Sequence, residues 1–163
     1  MSSLPMIQLT EVDQLPPELP KPFSGQVITT RQLKDFISKA LELKKQPLVI
    51  FGANWCPDAQ YLEAVMGMLT VTKLLAQHYE IMRVDVGDYD QNMELYTVFD
   101  MPSEEGVPRV VILDLKGRVL NFDSNDRWRT ARETDPQEIF NYFQEFAYLA
   151  LGCAGGIDRR SPR

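Results

Sequence analysis

Apolar residues recur along the chain at spacings that define its elements. Leu33, Phe36, Ile37, Ala40 and Leu41 follow a helical stripe. Thr29 or Thr30 can cap its start, Lys44 and Lys45 suit its C-terminal end, and Pro47 stops it. Leu48 to Phe51 form a short, continuous apolar run, which fits a strand covered on both faces. Gly52 to Asn54 break the run. Pro57 then opens a helix, where proline is accepted because the first turn has no intrahelical donor to lose. Leu62, Val65, Met66 and Leu69 line one face of that helix. Gly67 and Thr70 predict a bend or restart, with Val71, Leu74 and Leu75 on a second segment. The methionines here read as core filler and His78 as a structural residue. Tyr79 to Val86 predict a second central strand, followed by the turn from Asp85 to Asp90. Asp90 is the expected cap of a helix carrying Met93, Tyr96 and Phe99. Val110 to Leu115 and Val119 to Phe122 predict a hairpin around Lys116 and Gly117. Asp135-Pro-Gln-Glu138 reads as a capping box with proline at the first helical position. Ile139, Tyr142, Phe143, Phe146 and Ala150 are the expected buried stripe of the last helix, and Gly152 its terminator.

This order predicts an α/β fold with a central mixed β-sheet flanked by helices. The first two strands alternate with helices and should be parallel; the hairpin should add antiparallel strands. Residues 1–25 hold prolines at 5, 16, 17, 20 and 22 and no clear periodicity. They read as an extended, proline-rich N-terminal arm, either loose or docked through Val12, Leu15 or Phe23. Residues 26–152 form the expected domain, and residues 153–163 a flexible C-terminal tail.

Composition narrows the function. With 163 residues, 44% hydrophobic and 25% charged, the chain has the balance of one globular domain. A net charge of -6 argues against nucleic acid, whose phosphates call for clustered Lys and Arg. No apolar run approaches the roughly 18 residues of a membrane span. The first residues lack a basic stretch followed by an apolar one, so a cytoplasmic location is the expectation. Two cysteines, Cys56 and Cys153, make no disulfide framework, and a single histidine makes a zinc site a poor fit. The acids of the turn from Asp85 to Asp90 lack the spacing of a calcium-binding EF-hand loop.

The chemistry concentrates at Cys56. It falls at or just before a helix start, where free N–H groups and the helix dipole stabilise an anion. The thiolate is such an anion and is the reactive form of cysteine, so placement alone predicts a nucleophilic sulfur. Trp55 should shield the sulfur and offer an apolar surface to a partner, while Asp58 opposes the thiolate with its negative charge. The segment from Asn121 to Arg132 is the chain's one basic, aromatic stretch. It reads either as a solvated loop with Trp128 packed on the core, or as a lip for substrate or partner near Cys56.

Phe51-Gly-Ala-Asn-Trp-Cys-Pro-Asp58 resembles the active-site stretch of the thioredoxin family, which has the form Trp-Cys-x-x-Cys after a central strand. The Cys-Pro-Asp form resembles the thioredoxin-related and tryparedoxin-like branches more than thioredoxin itself. Gly106-Val-Pro-Arg-Val-Val-Ile-Leu-Asp114 resembles the family's cis-proline loop and following strand. The resemblance covers roughly Arg31 to Ala150. It implies a thioredoxin-like fold, Cys56 as catalytic nucleophile, and substrate contacts at Trp55, Pro57, Asp58, Val107 and a cis Pro108. Arg109 either lies near enough to favour the thiolate or bind an acidic partner, or points to solvent. Two positions depart from the family pattern. The resolving cysteine would fall at Ala59, and the family's buried acid at Ile50. The implied function is therefore thiol–disulfide exchange through Cys56 alone, on protein disulfides or glutathionylated substrates, without a cofactor. An external thiol, glutathione or a reductase, would release the mixed disulfide; Cys153 is the one internal candidate. The alternatives are a non-catalytic binding module, a redox sensor, or a Cys-Pro-Asp-Cys enzyme with Ala59 introduced as a trap.

Overall fold

The computed structural model describes residues 5–152. The first helix, α1 (Thr30–Glu42), is capped by Thr29, whose side chain accepts from the Gln32 amide while Gln32 reaches back to the Thr29 N–H. Strand β1 (Gln46–Gly52) follows, then α2 (Pro57–Met66), α3 (Leu69–His78) and β2 (Tyr79–Asp85). A 3-10 helix at Met93–Phe99 leads to β3 (Arg109–Ile112), two further 3-10 turns, and α4 (Pro136–Ala150). Among the described residues the sheet has three strands in the order β2-β1-β3, with β1 parallel to β2 and antiparallel to β3. This is the expected α/β fold, a mixed sheet flanked by helices.

All seven residues of β1 are buried. Phe51 meets the edge of Tyr96 at 4.2 Å and that of Phe99 at 6.4 Å. Gln46, the one polar side chain in the strand, donates to the carbonyls of Leu113 and Phe146, so its amide is paired despite its burial. Gly67 and Met68 separate α2 from α3, the restart expected at this point. A buried Glu63 on α2 holds Arg83 on β2 through contacts of 2.8–2.9 Å, tying the helix to the sheet. His78 ends α3. Burial first, and then the charge of Lys45, hold its pKa below the ordinary value.

Three expected elements differ. The helix after β2 is 3-10, seven residues long, and its N-cap is Asn92 rather than Asp90. The Asn92 amide accepts from Ile28 N–H and donates to the carbonyls of Gln26 and Asp85, which pins its backbone in the left-handed region (φ 61°). Asp100 is left-handed too (φ 58°), and so short a segment between two such residues does not settle into α geometry. The hairpin is reduced to one bridge, Leu113 to Val119. Its second strand stops because the Asn121 side chain takes the place of a strand backbone: Oδ1 accepts from Ile112 N–H and Nδ2 donates to Val110 O. The capping box at α4 also fails to form. Pro136 does take the first helical position, but the Asp135 side chain makes no cap bond, and Glu138 turns instead to Arg127 at 3.4 Å.

The arm runs over the domain as an extended strap. Ile7 and Leu9 donate their N–H groups to Gln144 and Gln137 of α4. Phe23 is buried against Gly52, so close that a Cβ there would fall 2.5 Å from the ring. Val12 and Leu15 stay exposed. Nothing in the pattern of the chain signals the role of Asp13. Its carboxylate accepts from Thr70 N–H at 2.8 Å and Thr70 Oγ1 at 2.7 Å, which caps α3 from a distant segment where Met68 offers no side-chain cap.

Asp13→Ala should therefore cost about 1–2 kcal/mol of stability in urea titrations at pH 7. Burial alone would raise the Asp13 pKa, but bonds from Thr10 and Thr70 outweigh it and hold the carboxyl below its ordinary 3.8. A depressed folded-state pKa contributes stability that is complete above 3.8 and is lost as pH falls through the folded value. The gap between variant and parent should narrow in that acid window, and a gap that widened there would contradict the assignment.

Candidate active site

Cys56 is the N-cap of α2, with extended backbone (φ -89°, ψ 115°), and Pro57 stands at the first helical position. The Sγ accepts from the Ala59 N–H at 3.5 Å. As a thiol, the same sulfur donates to the Val107 carbonyl at 3.6 Å. The Val107–Pro108 peptide bond is cis. Cys56 is thus held between a helix start and the proline loop, and it is buried at 6% exposure. It is the one free cysteine among the described residues; Cys153 and the tail at 153–163 lie outside them.

The neighbours have separate tasks. Trp55 is half exposed, with its Nε1–H bonded to the Gly87 carbonyl at 2.8 Å and its ring edge-on to Tyr89 at 5.6 Å. The indole is therefore a fixed platform beside the sulfur. Asp58 accepts from the Arg132 backbone N–H at 2.9 Å and its Nε at 3.2 Å. That pairing offsets the negative charge expected to oppose the thiolate. Ala59 is buried, and Ile50 lies fully buried in mid-strand, so hydrocarbon occupies both positions where the family pattern has polar chemistry.

Arg109 does not point to solvent. It is buried, and its guanidinium binds the carbonyls of Gly106 and Glu105 and the side chains of Glu104 and Asn125. It braces the loop that delivers Val107. Trp128 packs in the core, edge-on to Tyr142 at 5.1 Å, while its flanking residues Asp126, Arg127, Arg129 and Thr130 reach the site. They form one wall of an open cleft of about 420 Å³, with Trp55, Tyr89, Cys56 and the loop at Gly106 and Val107 opposite. The segment thus packs Trp128 on the core and also lies along the cleft beside Cys56.

Asn54 and Tyr89 had no local signal, and Arg129 and Arg132 were marked only as part of the basic segment from Asn121 to Arg132. Asn54 joins the strap to the active-site turn: Oδ1 accepts from Phe23 N–H at 2.9 Å and Nδ2 donates to Phe23 O at 2.7 Å. Its own carbonyl accepts from Gln60 of α2 at 2.6 Å. The turn that sets the cysteine is thereby fixed from both sides. Tyr96 is fully buried under the site, and burial raises its pKa to about 12, with Arg109 opposing.

A family model described as thioredoxin-like matches residues 28–114. The crystal structure of a disulphide isomerase from Xylella fastidiosa Temecula1 aligns with a TM-score of 0.70 at 29% identity, covering 79% of this chain and 98% of that one. The structure of a protein of unknown function from Pseudomonas aeruginosa aligns over 72% of this chain and 82% of that one, at 15% identity and a TM-score of 0.39, which is too remote to bear on the site. No curated protein sequence matches.

The Arg132–Asp58 pair sits at the helix start that carries the sulfur, so its charges should tune the thiolate. Arg132→Ala should slow alkylation of Cys56 by iodoacetamide at pH 7 by roughly two- to threefold, and Asp58→Asn should accelerate it by a similar factor. Peptide-resolved mass spectrometry reads both rates; equal rates in all three proteins would separate these charges from the sulfur's reactivity.

Proposed function

The chain belongs to the thioredoxin-like family, and on that premise we propose that it is a thiol–disulfide oxidoreductase acting through the single nucleophile Cys56. The likeness to a disulphide isomerase supports the general class of chemistry. The observation that carries the reading is the position of Cys56 Sγ, between the Ala59 N–H at a helix start and the Val107 carbonyl of the cis-proline loop.

The thiolate form of Cys56 attacks one sulfur of a substrate disulfide. A new Sγ–S bond forms, the substrate S–S bond breaks, and the departing sulfur leaves as a thiolate that takes a proton from water. The Ala59 N–H favours the attacking anion. Ionisation removes the S–H bond to Val107 O, which frees that carbonyl for the N–H of an extended substrate segment beside Pro108. Trp55, Pro57 and Asp58 line the approach. With Ala59 in the resolving position, an external thiolate such as glutathione or a reductase thiol attacks the substrate's sulfur or Sγ in the mixed disulfide. Attack on the substrate's sulfur frees Cys56 at once; attack on Sγ releases the substrate, and a second external thiolate then frees Cys56. By the second route two external thiols end as one disulfide, and the substrate gains two electrons. Protein disulfides and glutathionylated proteins are the proposed substrates. The cycle needs a thiol-rich compartment such as the cytoplasm.

A second reading is favoured by the hydrocarbon at Ala59 and Ile50: a binding module that uses the same cleft without turnover. Cys56→Ser separates the two, since it should abolish exchange with glutathione disulfide in the first case and leave partner binding intact in the second. Ala59→Cys should let the introduced thiol close an internal disulfide with Cys56 and release substrate without external thiol, followed as free thiols over time. If substrate remained trapped on this variant, the geometry around position 59 would not suit a dithiol mechanism.

A further inference from the structure

Four arginines gather around the candidate site, and three have acidic partners among the described residues. Arg109 binds Glu104 and the loop carbonyls, Arg127 lies over the Trp128 ring at 4.5 Å and reaches Glu138, and Arg132 holds Asp58. Arg129 has no ion pair among the described residues. Its guanidinium rests against Gly106, where a Cβ would fall 2.5 Å from Cζ and 2.6 Å from Nε. Gly106 also has φ 114°, in the region that favours glycine. Two properties of one residue thus make room for this head group on the proline loop, one residue from the Val107 carbonyl that meets Sγ at 3.6 Å.

We propose that Arg129 is a specificity-determining residue that recognises a carboxylate carried next to the reacting cysteine of the substrate. A substrate whose sulfur reaches Cys56 and whose backbone runs past Val107 brings its neighbouring residue to Gly106, and so to Arg129. A guanidinium fork binds carboxylates in pairs of parallel hydrogen bonds, and this one has no internal carboxylate to displace among the described residues. Thr130 adds a hydroxyl and Tyr89 a phenol to the same cleft. Asp126 also lines it, and its negative charge favours a single carboxylate held at Arg129 over a run of acids. Two sources carry the required chemistry: the glycyl carboxylate of glutathione, which directly follows its cysteine, and an Asp or Glu next to a protein cysteine. The inference rests on the exchange reading, and its test does not depend on turnover.

Binding is measured calorimetrically to the reduced full chain with non-exchanging probes. These are S-methylglutathione and its glycyl amide, and two short peptides with serine in place of the reacting cysteine, followed by Glu or by Gln. Arg129→Gln should weaken the carboxylate probe about tenfold relative to its neutral twin, the loss of one charge-assisted contact. Arg129→Glu should reverse the preference in favour of a Lys-bearing peptide. The effect in the glutathione pair alone names glutathione adducts as the source, and in the peptide pair alone names acidic protein segments. Equal loss for charged and neutral probes, no loss for either, or no binding of any carboxylate probe by the parent up to about 10 mM would overturn the proposal. Exchange of glutathione disulfide by Cys56→Ser at the parental rate would instead sink the oxidoreductase reading while leaving these binding results to stand.

Discussion

Burial of β1 along its whole length is the constraint from which the site follows. A strand flanked on both edges and covered on both faces has no freedom to slide, because a shift by one residue would move its side chains into the wrong layers. Its C-terminal end is therefore a fixed point. Gly52 to Trp55 turn directly from that point into α2, so the cysteine at the helix cap inherits the rigidity of the sheet. β3 enters antiparallel on one side of the same strand, which brings Val107 and Pro108 to the sulfur. The helix start and the proline loop are adjacent because both are ends of strands paired through β1.

Polar side chains then supply what regular structure leaves undone. Asn121 substitutes for a missing strand partner, Asn92 joins three backbone groups from two segments, and Asn54 closes a two-bond ring with Phe23. Each satisfies backbone groups that burial would otherwise leave unpaired. Among the described residues two buried polar atoms remain without partners, Tyr96 Oη and Trp128 Nε1. Both belong to large aromatic rings whose packing under the cleft outweighs one lost bond each.

This division explains what could be read from the chain and what could not. The strand at Leu48 to Phe51, the helix start at Pro57 and the cysteine between them were legible because each depends on near neighbours. So was the stripe of α4, from Ile139 to Phe146. The shortened hairpin was not, since Asn121 looks like any strand-end residue until its amide finds Ile112 and Val110. The failed capping box at Asp135 has a similar cause: Glu138 had a distant competitor in Arg127. Arg129 and Arg132 carried only a general basic character. Their separate surroundings depended on Gly106 for the first and on Asp58, 74 positions away, for the second. The docking of Phe23 was one of three open choices, and the bare surface of Gly52 and the side-chain amide of Asn54 decided it.

The strap sets a timetable for the newborn chain. Its residues leave the ribosome ahead of the rest of the domain, yet Ile7 bonds to Gln144 across 137 positions and Leu9 to Gln137 across 128. Those contacts cannot close until the final helix has been made, so Ile7 and Leu9 are among the last residues to settle. Five prolines in the first 25 residues suit such a wait, because they keep the segment from coiling into a helix in the meantime. The strap therefore closes in two stages: Phe23 and Asp13 find Asn54 and Thr70 as soon as those are made, and the leading residues Ile7 and Leu9 lock down only when α4 arrives.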